Sequence, residues 1–179
     1  MEKMRTIIVY ASQTGFTKRY AQWLAEALGG DVLPLAEAKK QNSQYFEGYD
    51  AIIYGGWAMG GKVVSCEWFK QGIPSWKGKR LAIFCVGASP NDTPDVENAM
   101  KAVLTEEEKK YAKAFYCQGG LDYEKMKLSS RLAMKAFATM VRNKKNPTEM
   151  EKEMGEMISH SYDISDRKFI LPIVAYIEK

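Results

Sequence analysis

A chain of 179 residues, 46% hydrophobic and 27% charged, has the makings of one soluble globular domain with a substantial core. No apolar run approaches the roughly 20 residues of a membrane helix, Met1–Arg5 lacks signal-peptide features, and three widely spaced cysteines (66, 85, 117) exclude a disulfide framework, so a reducing cytoplasm is expected. The net charge of +4 is local: residues 123–146 hold seven Lys/Arg against one Glu, a balance of +6 that leaves −2 for the rest.

Taken in order, Thr6–Tyr10 is a buried first strand, and Ser12-Gln13-Thr14-Gly15-Phe16-Thr17 is a hydroxyl-rich turn leading into a helix over 17–28. Tyr20, Leu24, Ala27 and Leu28 fall on one face of that helix, and Gly29-Gly30 stops it. The first N–H groups of a helix lack intrahelical acceptors, and its macrodipole places about half a positive charge there. A phosphate suits that end, with Ser12, Thr14 and Thr17 adding hydroxyl donors. The plainer alternative is an ordinary hydroxyl N-cap. The turn contains no Lys and no G-x-G-x-x-G, which argues against the usual nucleoside-triphosphate and dinucleotide sites.

Asp31–Leu35 is a short second strand whose Pro34 suits an edge, and 36–48 is a connection or a weak helix. Asp50–Gly56 is a third strand, Trp57–Lys62 a loop, and Val64–Gln71 a helix ended by Gly72 and Pro74. Arg80–Gly87 is a fourth strand of the kind buried on both faces, and it leaves through the turn-rich loop 88–94. Residues 95–110 read as a helix and Ala114–Cys117 as a fifth strand, ended by Gly119-Gly120. Alternating strands and helices predict an α/β fold, a doubly wound five-stranded parallel sheet in the order 2-1-3-4-5. The loops after strands 1, 3 and 4 then converge on one crevice.

A helical insertion of about 123–157 follows, and a last helix from near Asp166 buries Phe169, Ile170, Ile173, Val174 and Ile177; the whole chain, 1–179, reads as a single domain. On a helical wheel Lys127, Arg131, Lys135, Arg142 and Lys145 share an arc of about 80°, and the apolar remainder is wider than one packing surface requires. Such a helix suits either peripheral docking on anionic lipid or packing on the domain and against another subunit, as in a homodimer. The single histidine, His160, reads as a solvated loop residue; no metal site and no nucleic-acid partner are expected.

The turn Ser12–Thr17 resembles the [ST]-x-T-G-x-T phosphate loop of flavodoxins, and Tyr49–Gly55 resembles their third strand, a likeness spanning residues 5 to about 120 and the last helix. It implies FMN, with the phosphate on Ser12, Gln13, Thr14, Gly15, Phe16 and Thr17. Gly56, Trp57, Ala58 and Met59 would then lie beside the flavin ring. Trp57 and Met59 offer ring contacts, while Gly55 and Gly56 let the backbone approach. Gly87, Ala88, Ser89, Pro90, Asn91 and Asp92 would serve the pyrimidine edge, with Asp92 either a ring neighbour or the N-cap of the next helix. Trp23, Trp68 and Trp76 read as packing residues. Gly119–Tyr123 and the basic helix after it resemble flavodoxin-like protoporphyrinogen oxidases, which pass electrons to a quinone. An FMN oxidoreductase acting on a quinone or porphyrinogen is thus implied; the alternatives are an electron carrier for a redox partner protein and a binding module without flavin.

Overall fold

The computed structural model describes residues 4–179. In chain order the elements are β1 (Thr6–Tyr10), α1 (Phe16–Leu28), β2 (Asp31–Pro34), α2 (Leu35–Ala38), α3 (Ser43–Glu47), β3 (Ala51–Met59), β4 (Lys62–Val63) and α4 (Glu67–Gly72). They continue with β5 (Arg80–Gly87), α5 (Pro94–Val103), β6 (Ala112–Gln118), β7 (Gly120–Leu121), α6 (Leu128–Arg142), α7 (Glu149–Met157), β8 (Tyr162–Asp163) and α8 (Leu171–Ile177). The central sheet runs β2-β1-β3-β5-β6, all parallel, with β4 added antiparallel to the end of β3. Setting that hairpin strand aside, this is the doubly wound order 2-1-3-4-5 expected from the alternation. Pro34 lies in the edge strand β2, where its missing N–H breaks no central ladder.

The sheet divides the core into two layers. One face packs Ile7, Val9, Ile52, Tyr54, Leu81 and Ile83 against Phe46, Phe69, Ile73 and Trp76. The other packs Ile8, Ile53, Ala82 and Phe84 against Tyr20, Leu24 and Leu28 of α1 and against Ile170, Ile173 and Ile177. This alternation of faces along strands that are apolar throughout is what burial on both sides requires. Of the last helix's expected face, Ile170, Ile173 and Ile177 are buried while Phe169 and Val174 are half-buried. Trp76 is buried and Trp68 half-buried in one aromatic cluster, and Trp23 stacks edge-on to Tyr20. All three cysteines are free and buried, and burial pushes the Cys85 thiol up to about 12.

Several elements differ from expectation. On α1 it is Ala21, not Ala27, that is buried, because residues 17, 20, 21, 24 and 28 form the inward stripe. Residues 57–62 are not a loop: β3 continues through Met59 and turns at Gly60-Gly61, both at positive φ, into β4. The helix expected from Val64 starts at Glu67, after Ser65 takes a left-handed conformation. The helix over 95–110 ends at Val103, where Leu104 turns extended; Thr105 and Glu108 then exchange backbone caps around a separate short turn. The basic helix begins at Leu128 rather than 123, since the Asp122 carboxylate accepts from the N–H groups of Glu124 and Lys125 in a turn.

The cations of that helix do not form one open stripe. Arg131 donates to the Glu124 carbonyl at 3.0 Å, Lys135 lies 6.0 Å over the Tyr123 ring, Arg142 pairs with Glu156 at 3.6 Å, and Lys144 pairs with Glu151. They are drawn toward the Glu124–Tyr123 turn and toward α7, leaving much of the apolar side in solvent. Among the described residues, no helix is long and apolar enough to cross a membrane.

A second, two-stranded sheet pairs β7 with β8 and ties the chain after α7 back beside β6. Its strap is held by Arg19, which bonds Asp163 at 2.6 Å and Ser165 at 2.7 Å. Partial burial pushes the Asp163 carboxyl up, but hydrogen bonds from Ser165 and Arg19 outweigh it and hold the group below its ordinary value of 3.8. A depressed folded-state value means stabilisation that is present above the unfolded value and lost as pH falls through the folded one. Both partners are over 40% exposed, so the contribution is under about 1 kcal/mol. Asp163→Asn should therefore lower the melting temperature by about 1–3 °C at neutral pH. In melts run as a pH series, wild type and variant should converge below the normal carboxylate range; a constant gap would remove the electrostatic account.

Candidate functional site

The candidate site lies at the C-terminal ends of β1 and β3. The Ala11 N–H donates to the Gly55 carbonyl at 2.9 Å, extending the β1–β3 pairing and aiming the following turn across the end of the sheet. Gly15 stands at φ +102°, a conformation that glycine alone adopts without strain, and the space beside its Cα is open. The Ser12 hydroxyl accepts from the Gly15 N–H at 3.1 Å, which leaves its own proton free to donate. Thr17 is buried, at 1% exposure, and Thr14 is half-buried between it and Ser12.

Gly15 is itself the N-cap of α1, so the ordinary hydroxyl cap does not occur: no side chain caps the helix, and its first turn holds no acid. That leaves a thirteen-residue helix pointing unneutralised N–H groups at a turn with three hydroxyls. Such a donor set, with no competing carboxylate, fits a phosphate dianion.

A cleft of about 590 Å³ opens beside the turn, lined by Tyr10, Ser12, Gln13, Lys18, Lys39 and Trp57 among others. Lys18 and Lys39 add positive charge, and half-buried Trp57 gives a flat wall. Sequence reasoning named Ser12, Gln13, Gly15 and Trp57 but missed Tyr10, Lys18 and Lys39. Tyr10 and Lys18 flank the turn and could have been found by adjacency; Lys39 arrives only because α2 folds back beside β1.

Other expected site residues have different duties. Phe16 turns its ring toward Gly120 and lies under Arg19, so only its backbone N–H remains for an anion. The Gln13 side chain accepts from the Lys127 N–H at 3.3 Å, joining the turn to the start of α6. Gly55 and Gly56 do not make room for a ligand. A Cβ on Gly55 would meet the Phe84 ring at 2.0 Å, and one on Gly56 would meet the Val64 carbonyl at 2.7 Å, so protein atoms fill both spaces. Ala58 and Met59 lie exposed on the hairpin, Met59 at 61%.

The loop after β5 is braced from β6 and β8. Tyr162 donates to the Ala88 carbonyl and Tyr116 to the Ser89 carbonyl, each at 2.7 Å, while the Gln118 carboxamide accepts from the Asn91 N–H at 2.7 Å. Tyr116 also fills the space beside Gly87, and burial pushes the Tyr162 phenol up to about 12, so it stays a donor at neutral pH. Pro90 is exposed. Asn91 and Asp92 line a separate groove of about 480 Å³ with Phe115, Tyr116, Lys168 and Phe169. Asp92 does not cap α5; Thr93 occupies that position. Ser12, Gln13 and Gly15 of the turn thus share one cleft with Trp57, Thr14, Phe16 and Thr17 lie outside its lining, and Asn91 and Asp92 line another groove. Among the described residues no cluster of acids, cysteines or histidine is arranged to hold a metal.

A family model described as "Flavodoxin domain" matches residues 7–151. The chain is similar in structure to a WrbA-like flavodoxin from Agrobacterium tumefaciens, with 16% identity, 87% of this chain and 97% of that one covered, and a TM-score of 0.50. Two further similar structures are oxidised flavodoxin 1 from Bacillus cereus (16% identity, 86% and 96% covered, TM-score 0.41) and a flavoprotein in complex with FMN from Lactobacillus acidophilus NCFM (15%, 64% and 92%, 0.45). A comparison with curated proteins finds no match.

Proposed function

The chain belongs to the flavodoxin domain family, and from that premise we propose that the cleft beside Ser12–Thr17 binds FMN and that the protein transfers electrons through it. The observation that carries this reading is the uncapped, acid-free N-terminus of α1 inside a turn of three hydroxyls. Bound there, FMN would supply the redox chemistry.

The protein's residues supply binding and orientation. The α1 N–H groups and the Ser12 hydroxyl would hold the phosphate, with the hydroxyls of half-buried Thr14 and buried Thr17 as further donors from the same turn, and Lys18 and Lys39 would add long-range attraction along the cleft. Trp57 offers a flat apolar surface to the ring. The Ala88–Asn91 backbone is fixed by Tyr162, Tyr116 and Gln118 before any ligand arrives, which lowers the ordering cost of a contact to that loop.

The likeness of residues 119–145 to flavodoxin-like protoporphyrinogen oxidases makes quinones and porphyrinogens the substrates to try first. The alternative is a carrier that exchanges electrons with a redox protein. We expect about one FMN per chain in the purified protein, measured by its absorbance. Anaerobic turnover of protoporphyrinogen with a quinone, without any second protein, supports the enzyme. Reduction and reoxidation only through a protein donor and acceptor supports the carrier. A preparation that neither contains nor takes up FMN refutes both and leaves a flavin-free binding module.

A further inference from the structure

We propose that the groove over the free edge of β6 binds an extended segment of a partner protein as an added strand, independently of what the cleft binds. β6 pairs with β5 alone, so its other edge is unpaired. In a parallel ladder, alternate residues turn both backbone groups to the same side. The Gly119 N–H, which continues that ladder, donates to the Gly87 carbonyl at 2.7 Å, so odd-numbered residues face β5 while Ala114, Tyr116 and Gln118 face away. The Gln118 carbonyl is taken by the Tyr20 hydroxyl. Among the described residues, no protein group bonds the backbone N–H and C=O of Ala114 and Tyr116.

That bare stretch is the floor of the groove of about 480 Å³. Val96, Glu97 and Met100 of α5 form one wall; Lys168, Phe169 and Pro172, around the start of α8, form the other. Ala114, Phe115 and Tyr116 on the floor are half-buried, whereas Glu97, Lys168 and Pro172 on the walls are exposed, so the edge is recessed. The recess selects the occupant. A second copy would bring a β6 recessed in the same way, and the flanking helices would meet before the two edges reached the ~4.8 Å of paired strands. A lone extended chain fits, because it carries donors and acceptors at strand spacing and has no helices beside it.

The walls also set the segment's side-chain pattern, since side chains of an added strand alternate between the two faces. On the α5 face the floor is small Ala114 beside Val96 and Met100. Asp92, at the head of that wall, has no ion-pair partner among the described residues, whereas Glu97 is held by Lys101 at 2.6 Å. The α8 face presents the rings of Phe115 and Phe169, with Lys168 on its wall and Lys113 lying 5.4 Å over the Phe115 ring. A segment with basic residues toward α5 and apolar ones toward α8 complements both faces.

Fluorescence anisotropy with a labelled seven-residue peptide of alternating lysine and valine tests this, together with amide exchange of the isotope-labelled protein. Binding should saturate at one peptide per chain, and exchange of the Ala114 and Tyr116 N–H groups should slow by at least about tenfold. A peptide of alternating glutamate and valine should bind about tenfold more weakly, as should the lysine peptide to Asp92→Lys. Methylating every backbone nitrogen of the lysine peptide should abolish binding. No binding at millimolar peptide, binding that leaves both amides unprotected, or equal binding of the glutamate or methylated peptide overturns the proposal. So does protection of both amides that appears with rising protein concentration alone, which would make a second copy the occupant.

Discussion

Replacing Thr14 and Thr17 together with alanine should weaken FMN binding by about 10²–10⁴-fold while the protein stays folded. Each hydroxyl bonded to a phosphate oxygen contributes about 1.5–3 kcal/mol, and neither threonine is needed to cap α1, because Gly15 occupies that position without side-chain help. Thr17 is buried, so its truncation also removes some packing, and thermal melting must accompany the titration to separate the two effects. A folded double variant with unchanged FMN affinity would show that the turn is not the phosphate cradle.

The second large effect belongs to the scaffold that holds the turn. Gly55 sits opposite Phe84 in the β3–β5 register, and its backbone accepts the Ala11 hydrogen bond that aims the phosphate turn. The Phe84 ring is fully buried and covers the glycine so closely that a Cβ would lie 2.0 Å from it. Relief requires the ring to move within a close-packed layer containing Ile8, Ile53, Tyr20 and Leu24. Gly55→Ala should therefore cost about 3 kcal/mol, the upper end for overpacking, and lower the melting temperature by about 6–12 °C. Adding Phe84→Leu to Gly55→Ala should recover part of the loss, giving a combined cost below the sum of the two single changes. Denaturant titration of all four proteins measures this, and additive costs would mean that the two residues do not collide.

The parts of the fold written in local pattern were legible in the sequence. Five apolar runs separated by helical periods led to the strand order, and Pro34 pointed to the edge where β2 lies. The strand–turn–helix sequence from Thr6 to Leu28 located an anion site because its elements are consecutive. What depended on distant partners was not legible. β7 and β8 are two residues each and some 40 residues apart, too short for any periodicity to announce them. The β3–β4 hairpin did carry a signal, Gly60-Gly61 between two strand-compatible stretches, but a glycine pair reads equally well as a loop.

The basic helix illustrates the same division. Its apolar width, read from the wheel, exceeds what the domain covers, and the structure leaves Leu128, Leu132 and Met140 in solvent. Which side faced outward could not be read, because Glu156, Glu151 and the Glu124 carbonyl, which draw in its cations, lie in other turns of chain. Asn91 and Asp92 follow the same rule: Gln118 from β6 holds the Asn91 backbone at the separate groove.

The cleft's defining feature is its phosphate cradle, so the most direct measurement compares FMN with riboflavin, which carries the same ring without the phosphate. Titration of flavin-free protein, followed by quenching of flavin fluorescence, should give one FMN site per chain and riboflavin binding weaker by at least about 100-fold, ~2.7 kcal/mol. Equal affinities for the two, or no binding of either, would contradict the assignment of Ser12–Thr17 and the head of α1 as an FMN phosphate site.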